Sequence, residues 1–181
     1  MRNKIWLAII ISILVIPMFT ACNEAPEPTV KEGRFNFSVT YEVDGEVTTV
    51  SSAYVCELED SGWEIGGWYI SWNEYIEDSE LANRLKQTRG YLLLKTVDDG
   101  EIFLDFNLSA GYFMSEPNSN NENMDGSTES LKPRLFIDYS EAKYEEIGLS
   151  YEDDEAVLEG YGVRIISFEY DPPINNTYKN L

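Results

Sequence analysis

One stretch of the chain decides its fold: Phe35-Asn36-Phe37-Ser38-Val39-Thr40-Tyr41-Glu42-Val43-Asp44-Gly45. Its apolar residues recur at every second position, which is the period of a half-buried β-strand. Asp44-Gly45 is the strongest short signal for a hairpin turn. If these two residues form the turn, Val43 lies opposite Glu46 and Phe35 lies opposite Tyr54. This register puts the apolar residues of both strands on one face, whereas a slip of one residue would separate them.

A second hairpin is predicted between Tyr91 and Leu108, with its turn at Asp99-Gly100. That turn gathers one apolar set on a common face: Tyr91, Leu93, Val97, Ile102, Leu104, Phe106 and Leu108. Lys95 interrupts this face, and apolar residues also occur on the other side. The hairpin is therefore predicted to lie centrally in the fold, where both faces are covered.

The remaining elements are short. Ser61-Gly62 predicts a turn that sets Leu58 opposite Ile65. A helix over residues 80–86 is predicted behind a cap at Ser79, and a second helix over residues 153–160. Strands are predicted over residues 135–139 and 163–170. Since no strand–helix–strand spacing of a parallel sheet occurs, the predicted fold class is mainly β: an antiparallel β-sandwich-like domain with one or two short helices.

The first residues have the pattern of a secretory signal. Met1-Arg2-Asn3-Lys4 is cationic, and an apolar stretch from Ile5 to Met18 follows, too short to span a bilayer comfortably. Phe19-Thr20-Ala21-Cys22 then resembles a bacterial lipobox, in which the cysteine is acylated and becomes the first residue of the mature protein. The resemblance implies that Cys22 is the lipid attachment site and that the protein is anchored to the extracytoplasmic face of the cell membrane. An ordinary signal peptide with an incidental cysteine is the alternative.

These signals divide the chain into four parts. They are a signal peptide over residues 1–21, a tether over 22–33, one β-rich extracytoplasmic domain over 34–174, and a tail over 175–181. Residues 115–130, which contain one large apolar residue, are predicted to be a flexible loop inside the domain.

Composition excludes several functional classes. Without residues 1–21 the chain has 11 basic and 33 acidic residues, a net charge of −22, which argues against nucleic acid as a partner. There is no histidine, so Ser-His-Asp catalysis, Cys-His catalysis and histidine-ligated zinc are excluded. If Cys22 is acylated, Cys56 is left without a disulfide partner, and its strand-like surroundings indicate a buried, inert thiol.

Four aromatic residues form the candidate ligand-binding set: Trp63, Trp68, Tyr69 and Trp72. On a β surface their rings could stack on the faces of sugars, and neighbouring carboxylates could accept hydrogen bonds from hydroxyl groups. The competing interpretation is that the rings fill the core, because aromatic side chains dominate protein cores.

Acidic clusters are the other candidates for a site. They occur at Asp98-Asp99-Gly100-Glu101, Glu145-Glu146 and Glu152-Asp153-Asp154-Glu155. The alternating spacing of a calcium loop is missing, so turn chemistry, helix capping and solvation explain them better than calcium does. We predict no metal, no cofactor and no catalytic residue.

Three stretches carry a wider resemblance: Phe35 to Tyr41, Tyr54-Val55-Cys56-Glu57, and Ser167 to Ile174. With the lipobox, they resemble uncharacterised surface lipoproteins of gram-positive bacteria, and the resemblance implies no activity. The expected function is a non-enzymatic, lipid-anchored interaction module whose partner is a cell-surface protein or a glycan. Glycan binding by stacking on tryptophan and tyrosine is the alternative, and a hydrolase that uses only carboxylates ranks below both.

Overall fold

The computed structural model describes residues 25–65, 67–117, 132–143 and 151–180. The predicted signal peptide, Cys22 and most of the predicted loop over 115–130 lie outside the described residues. Within the described ranges, no helix has both the length and the apolar character needed to cross a membrane.

The described residues form these elements in chain order: β1 (Glu27–Pro28), β2 (Glu32–Val43), β3 (Glu46–Glu64), β4 (Gly67–Ile76), α1 (Ser79–Gln87), β5 (Leu92–Val97), β6 (Gly100–Asp105), α2 (Ala110–Phe113), β7 (Arg134–Tyr139), β8 (Tyr151–Glu152), α3 (Glu155–Gly160), β9 (Val163–Tyr170) and β10 (Tyr178–Lys179). One antiparallel sheet has the order β4-β3-β2-β9, a second has the order β5-β6-β7-β8, and β1 pairs with β10. The predicted fold class, a mainly β, antiparallel, sandwich-like domain with short helices, is confirmed.

The first hairpin has the predicted register throughout. Val43 lies opposite Glu46 and Phe35 opposite Tyr54. Asp44 and Gly45 both have positive φ, 52° and 87°, as a two-residue hairpin turn of the primed type requires. Strand β9 pairs with the other edge of β2, so the predicted strand is central in its sheet.

The core lies between the two four-stranded sheets. Phe35, Phe37 and Val39 on β2 are buried, as are Ile102 and Leu104 on β6. Aromatic rings tie the layers together: the Phe37 and Phe106 ring centroids are 5.2 Å apart, and those of Phe35 and Phe113 are 4.6 Å apart. The alternating residues quoted from the sequence therefore supply one wall of the core.

The second hairpin differs from its prediction. Val97 lies opposite Gly100, so the turn is Asp98-Asp99, one residue earlier than expected, and the register shifts by a bulge between Leu93 and Lys95. The bulge reverses the face assigned to the start of the strand, and Leu92 is buried in the core. Gly100 is the first residue of β6 and lies opposite Tyr139 of β7. A glycine suits this position because the Cβ of any other residue would lie 2.1 Å from the backbone oxygen of Asp138. The predicted grouping of Tyr91 and Leu93 with the core residues of β6 is therefore wrong.

Tyr91 lies instead with the aromatic cluster on the outer face of the second sheet. The rings of Phe103 and Phe136 stack with centroids 5.5 Å apart, and the ring of Tyr91 contacts that of Phe136 at 4.9 Å. Phe103 is buried although it points away from the core between the sheets.

Both predicted helices are present, and the cap predicted for the first one is one residue away from its observed place. Helix α1 is capped by Asp78, whose carboxylate accepts a hydrogen bond from the Leu81 backbone N–H, and not by Ser79. Helix α3 is capped by Asp154. Leu81, Leu85 and Leu158 are the residues that the two helices bury.

The two ends of the described chain form one small ribbon. Glu27 lies opposite Lys179 and Pro28 opposite Tyr178. Buried Asn176 holds the ribbon to the following segment, because its side chain accepts from the Val30 backbone N–H at 2.9 Å and donates to the Val30 backbone oxygen at 3.0 Å. The described parts of the predicted tether and tail are thus ordered, paired structure, because they satisfy each other's backbone groups.

We expect Gly100→Ala to destabilise the fold, because the new methyl group would collide with the backbone of β7. Overpacking of this kind costs about 1–3 kcal/mol of unfolding free energy. Urea denaturation followed by circular dichroism measures it. Gly160→Ala is the matched control, since open space surrounds that position. Equal stability of the two variants would contradict the pairing of β6 with β7.

Candidate functional site

Strands β3 and β4 extend beyond the rest of their sheet. Strand β2 begins at Glu32, opposite Glu57, and the Leu58 backbone N–H donates to the Lys31 oxygen at 2.7 Å. Past that point, residues 60–64 of β3 pair with residues 67–71 of β4. We call residues 59–71 the arm. Its five residue pairs span roughly 17 Å at the usual rise of a strand.

The arm shows why the predicted turn at Ser61-Gly62 is wrong. Gly62 lies opposite Tyr69 within the paired strands. A side chain at Gly62 would lie 2.7 Å from the tyrosine ring, so the glycine makes room for that ring. The Tyr69 hydroxyl donates to the Asp60 carboxylate at 2.8 Å and holds the ring in place.

The four predicted aromatic residues do not form one platform. Trp63 and Trp68 lie directly opposite each other near the tip, and Trp72 lies opposite Leu58 at the root. Tyr69 has the opposite strand parity to Trp68 and Trp72, so it lies on the other face of the arm. The structure therefore brings together Trp63 and Trp68, adds Trp72 on the same face, and separates Tyr69 from all three.

Exposure also differs along this face. The side chain of Trp63 is 49 % exposed, and Trp68 is half-buried. Ile65 at the tip is fully exposed. Trp72 packs against the core and its indole N–H donates to Glu116 Oε2 at 3.2 Å. The tip rings are thus accessible, while Trp72 is a structural residue at the root of the arm.

The opposite face of the arm is acidic and hydroxyl-rich. Glu59 accepts from the Ser71 hydroxyl at 2.9 Å, and Glu57 accepts from the Tyr75 hydroxyl at 3.0 Å. With Asp60 bonded to Tyr69, these contacts hold the carboxylates against the strands. The arm therefore has one apolar face and one acidic face.

Two glutamates, Glu74 and Glu116, interact electrostatically at the root of the arm. Burial raises the pKa of Glu116, the charge of Glu74 raises it further, and the hydrogen bond from Trp72 opposes both effects. The Tyr54 hydroxyl donates to Glu74. Burial raises the pKa of the neighbouring Cys56 thiol to about 12, so it stays protonated at neutral pH. The prediction that Cys56 is buried is confirmed.

A groove of about 1050 Å³ lies along β2, β3 and β9 of the first sheet. Its lining includes Asn36 and Ser38 on β2, Ser51 and Ala53 on β3, and Tyr112 on α2. Sequence reasoning missed this groove. The register of the first hairpin does put Asn36 opposite Ala53 and Ser38 opposite Ser51, but small side chains in this arrangement do not by themselves indicate a site.

Ion pairs and hydrogen bonds build the walls of the groove. On one side the Arg34 guanidinium holds Glu77 through two contacts, at 3.1 Å and 2.6 Å. On the other side Asp171 accepts from the backbone and side chain of Asn36, at 2.7 Å and 2.8 Å. These contacts hold the side chains of both walls in place within the groove.

The acidic clusters have structural partners where the structure describes them. Asp99 accepts from the Tyr161 hydroxyl at 2.6 Å, and Asp154 caps α3. Across the described ranges, no three acidic or cysteine side chains are grouped closely enough to hold a metal ion. Glu145-Glu146 lies outside the described residues.

Comparison with known proteins found no match: no family model, no curated protein and no solved structure is similar to this chain.

We expect Glu116→Gln to raise the unfolding free energy at pH 7. A carboxyl with a raised native pKa is destabilising when ionised, and the amide removes the charge while its oxygen still accepts from Trp72. The gain should be constant above the native pKa, shrink as pH falls below it, and vanish below the ordinary glutamate pKa. Urea titrations between pH 3 and pH 8 measure it, with Glu80→Gln on an exposed helix position as control. Destabilisation at every pH would contradict the assigned burial cost.

Proposed function

We propose that this protein is a lipid-anchored, extracytoplasmic binding module. The proposed anchor is an acyl modification of Cys22, supported by the cationic start, the apolar stretch and the small residues before that cysteine. The proposed ligand site is the groove, and its volume of about 1050 Å³ is the observation that carries the binding function.

The charges around the groove restrict the class of ligand. Glu77, Asp78, Glu169 and Asp171 line it, against the single cation Arg34. This excess of carboxylates disfavours anionic ligands, nucleic acid included, and favours a neutral or cationic segment of a cell-surface protein or a glycan.

The lining also supports binding over catalysis. Three of the carboxylates have structural tasks: Glu77 pairs with Arg34, Asp171 binds Asn36, and Asp78 caps α1. A hydrolase needs one carboxyl to give up a proton and a second to act as base or nucleophile. Carboxylates already engaged in the fold suit recognition better.

Glycan binding by the aromatic residues is the second candidate. The accessible rings of Trp63 and Trp68, opposite each other on one face, favour it. Sugar binding there would alter tryptophan fluorescence, and Trp63→Ala would abolish the change. A panel of cell-wall glycans that leaves the fluorescence of the protein unchanged would remove this candidate.

The groove is tested by filling it. We expect Ser51→Trp to abolish capture of the partner from intact envelope by the immobilised protein, because the indole would occupy the floor of the groove. Thr49→Trp is the matched control, since Thr49 is exposed on the same strand and face and outside the groove lining. Circular dichroism confirms that both variants fold. Equal loss, or equal capture, by the two variants would overturn the groove as the binding site.

The anchor is tested separately. We expect Cys22→Ala to move the protein from the detergent phase to the aqueous phase in phase partitioning, while wild type resists a salt wash because two or more acyl chains give stable anchoring. Full retention of the alanine variant in the detergent phase would contradict acylation at Cys22.

A further inference from the structure

The tip of the arm is apolar and stands apart from the core. The side chain of Trp63 is half exposed and Ile65 is fully exposed. Trp72 packs against the core cluster, to which Trp63, Trp68 and Ile70 do not belong. Gly67 has a φ of 143°, which lets the chain reverse tightly next to Trp68.

The N-terminal chain leaves the domain at the same end as the arm. Strands β2 and β3 are antiparallel, so the start of β2 lies next to the point where β3 enters the arm. The residues that precede Glu32 therefore approach β2 from the side of the arm. The contact between Lys31 and Leu58 fixes this relation at the root. Two contacts reach the residues that directly follow α2. Trp72, at the root of the arm, donates to Glu116, and Tyr178 of the terminal ribbon donates to the Met114 backbone oxygen.

The described chain begins in the terminal ribbon. Ala25 is held by the ribbon, because Asn180 donates to its backbone oxygen. Cys22 lies three positions before Ala25, a reach of at most about 10 Å for an extended chain. The acyl chains then enter the membrane near the terminal ribbon, which contacts residues next to those that Trp72 contacts at the root of the arm.

We propose that the arm tip is a second membrane contact, in which Trp63, Ile65 and Trp68 insert at the boundary between lipid headgroups and acyl chains. This inference rests on the proposed anchor at Cys22. Indole rings favour that boundary because they combine an apolar body with one N–H donor, and an aliphatic side chain gains by leaving water. The two strands of the arm pair with each other along one edge only, so their outer edges need water or lipid headgroups as partners, which fits a tip at the headgroup boundary and not in the hydrocarbon.

The charges of the arm set the depth of insertion. Glu64 is the one charged residue in the sequence between Trp63 and Trp68, and a carboxylate at this position disfavours insertion deeper than the headgroups. Asp60 lies three positions from Trp63, roughly 10 Å along the strand, so the acidic face stays in water. The anchor holds the tip near the surface, and insertion then becomes an intramolecular step that needs little affinity of its own.

The test measures the depth of single tryptophans. Once the signal peptide is removed, the chain has three tryptophans, at positions 63, 68 and 72. The acylated protein is reconstituted in phosphatidylcholine vesicles that contain brominated lipid, which quenches fluorescence on contact. Variant Trp68→Phe/Trp72→Phe keeps only Trp63, and variant Trp63→Phe/Trp68→Phe keeps only Trp72 as the matched control at the root.

We expect quenching of Trp63 to exceed that of Trp72 at least twofold. Adding Ile65→Asp to the Trp63-only variant should reduce the quenching to the control level while the protein still floats with the vesicles. Protein that floats but shows equal quenching at both positions, or none at Trp63, overturns the membrane contact and leaves the anchor standing. Protein that does not float overturns the anchor, and the membrane contact with it.

Discussion

Two consecutive residues with positive φ, Asp44 and Gly45, set the register on which the rest of the structure depends. Their turn pairs β2 with β3 so that one face of both strands builds the core. Other elements then fix the turn itself: the Asp44 backbone N–H donates to the Gly162 oxygen at 2.8 Å, and Lys95 binds the Asp44 carboxylate at 2.6 Å. One turn thus connects both sheets and the start of β9.

The sequence predicts strands and their register correctly where periodicity and turn chemistry agree. It predicts turns wrongly where a glycine is needed for close packing. The first hairpin follows from alternation together with the Asp44-Gly45 turn, and β9 has the bounds that the sequence predicts. The sequence predicts turns at Gly62 and Gly100, yet Gly62 makes room for the Tyr69 ring and Gly100 lies against the backbone of β7. Bulges between Leu58 and Asp60 and between Leu93 and Lys95 also change which face the neighbouring residues occupy.

The candidate site was only partly predictable for a related reason. The sequence grouped Trp63, Trp68, Tyr69 and Trp72 as one set, but which of them share a face depends on the register of β3 with β4. The groove could not be nominated because its floor consists of small polar side chains, such as Ser38 and Ser51, which carry no chemical signature. Its walls depend on contacts between residues far apart in sequence, such as Asn36 with Asp171.

The terminal ribbon brings the two ends of the described chain together. Thr29 and Thr177, separated by 148 positions, have their hydroxyl oxygens 3.0 Å apart. Closing so long a loop costs entropy that only a preformed scaffold can offset, so this pairing forms after the two sheets have met. On unfolding, the ribbon is for the same reason the first region to separate. The two ends of the described chain, residues 27–29 and 177–179, therefore open and close together, and a cut near one of them releases the other.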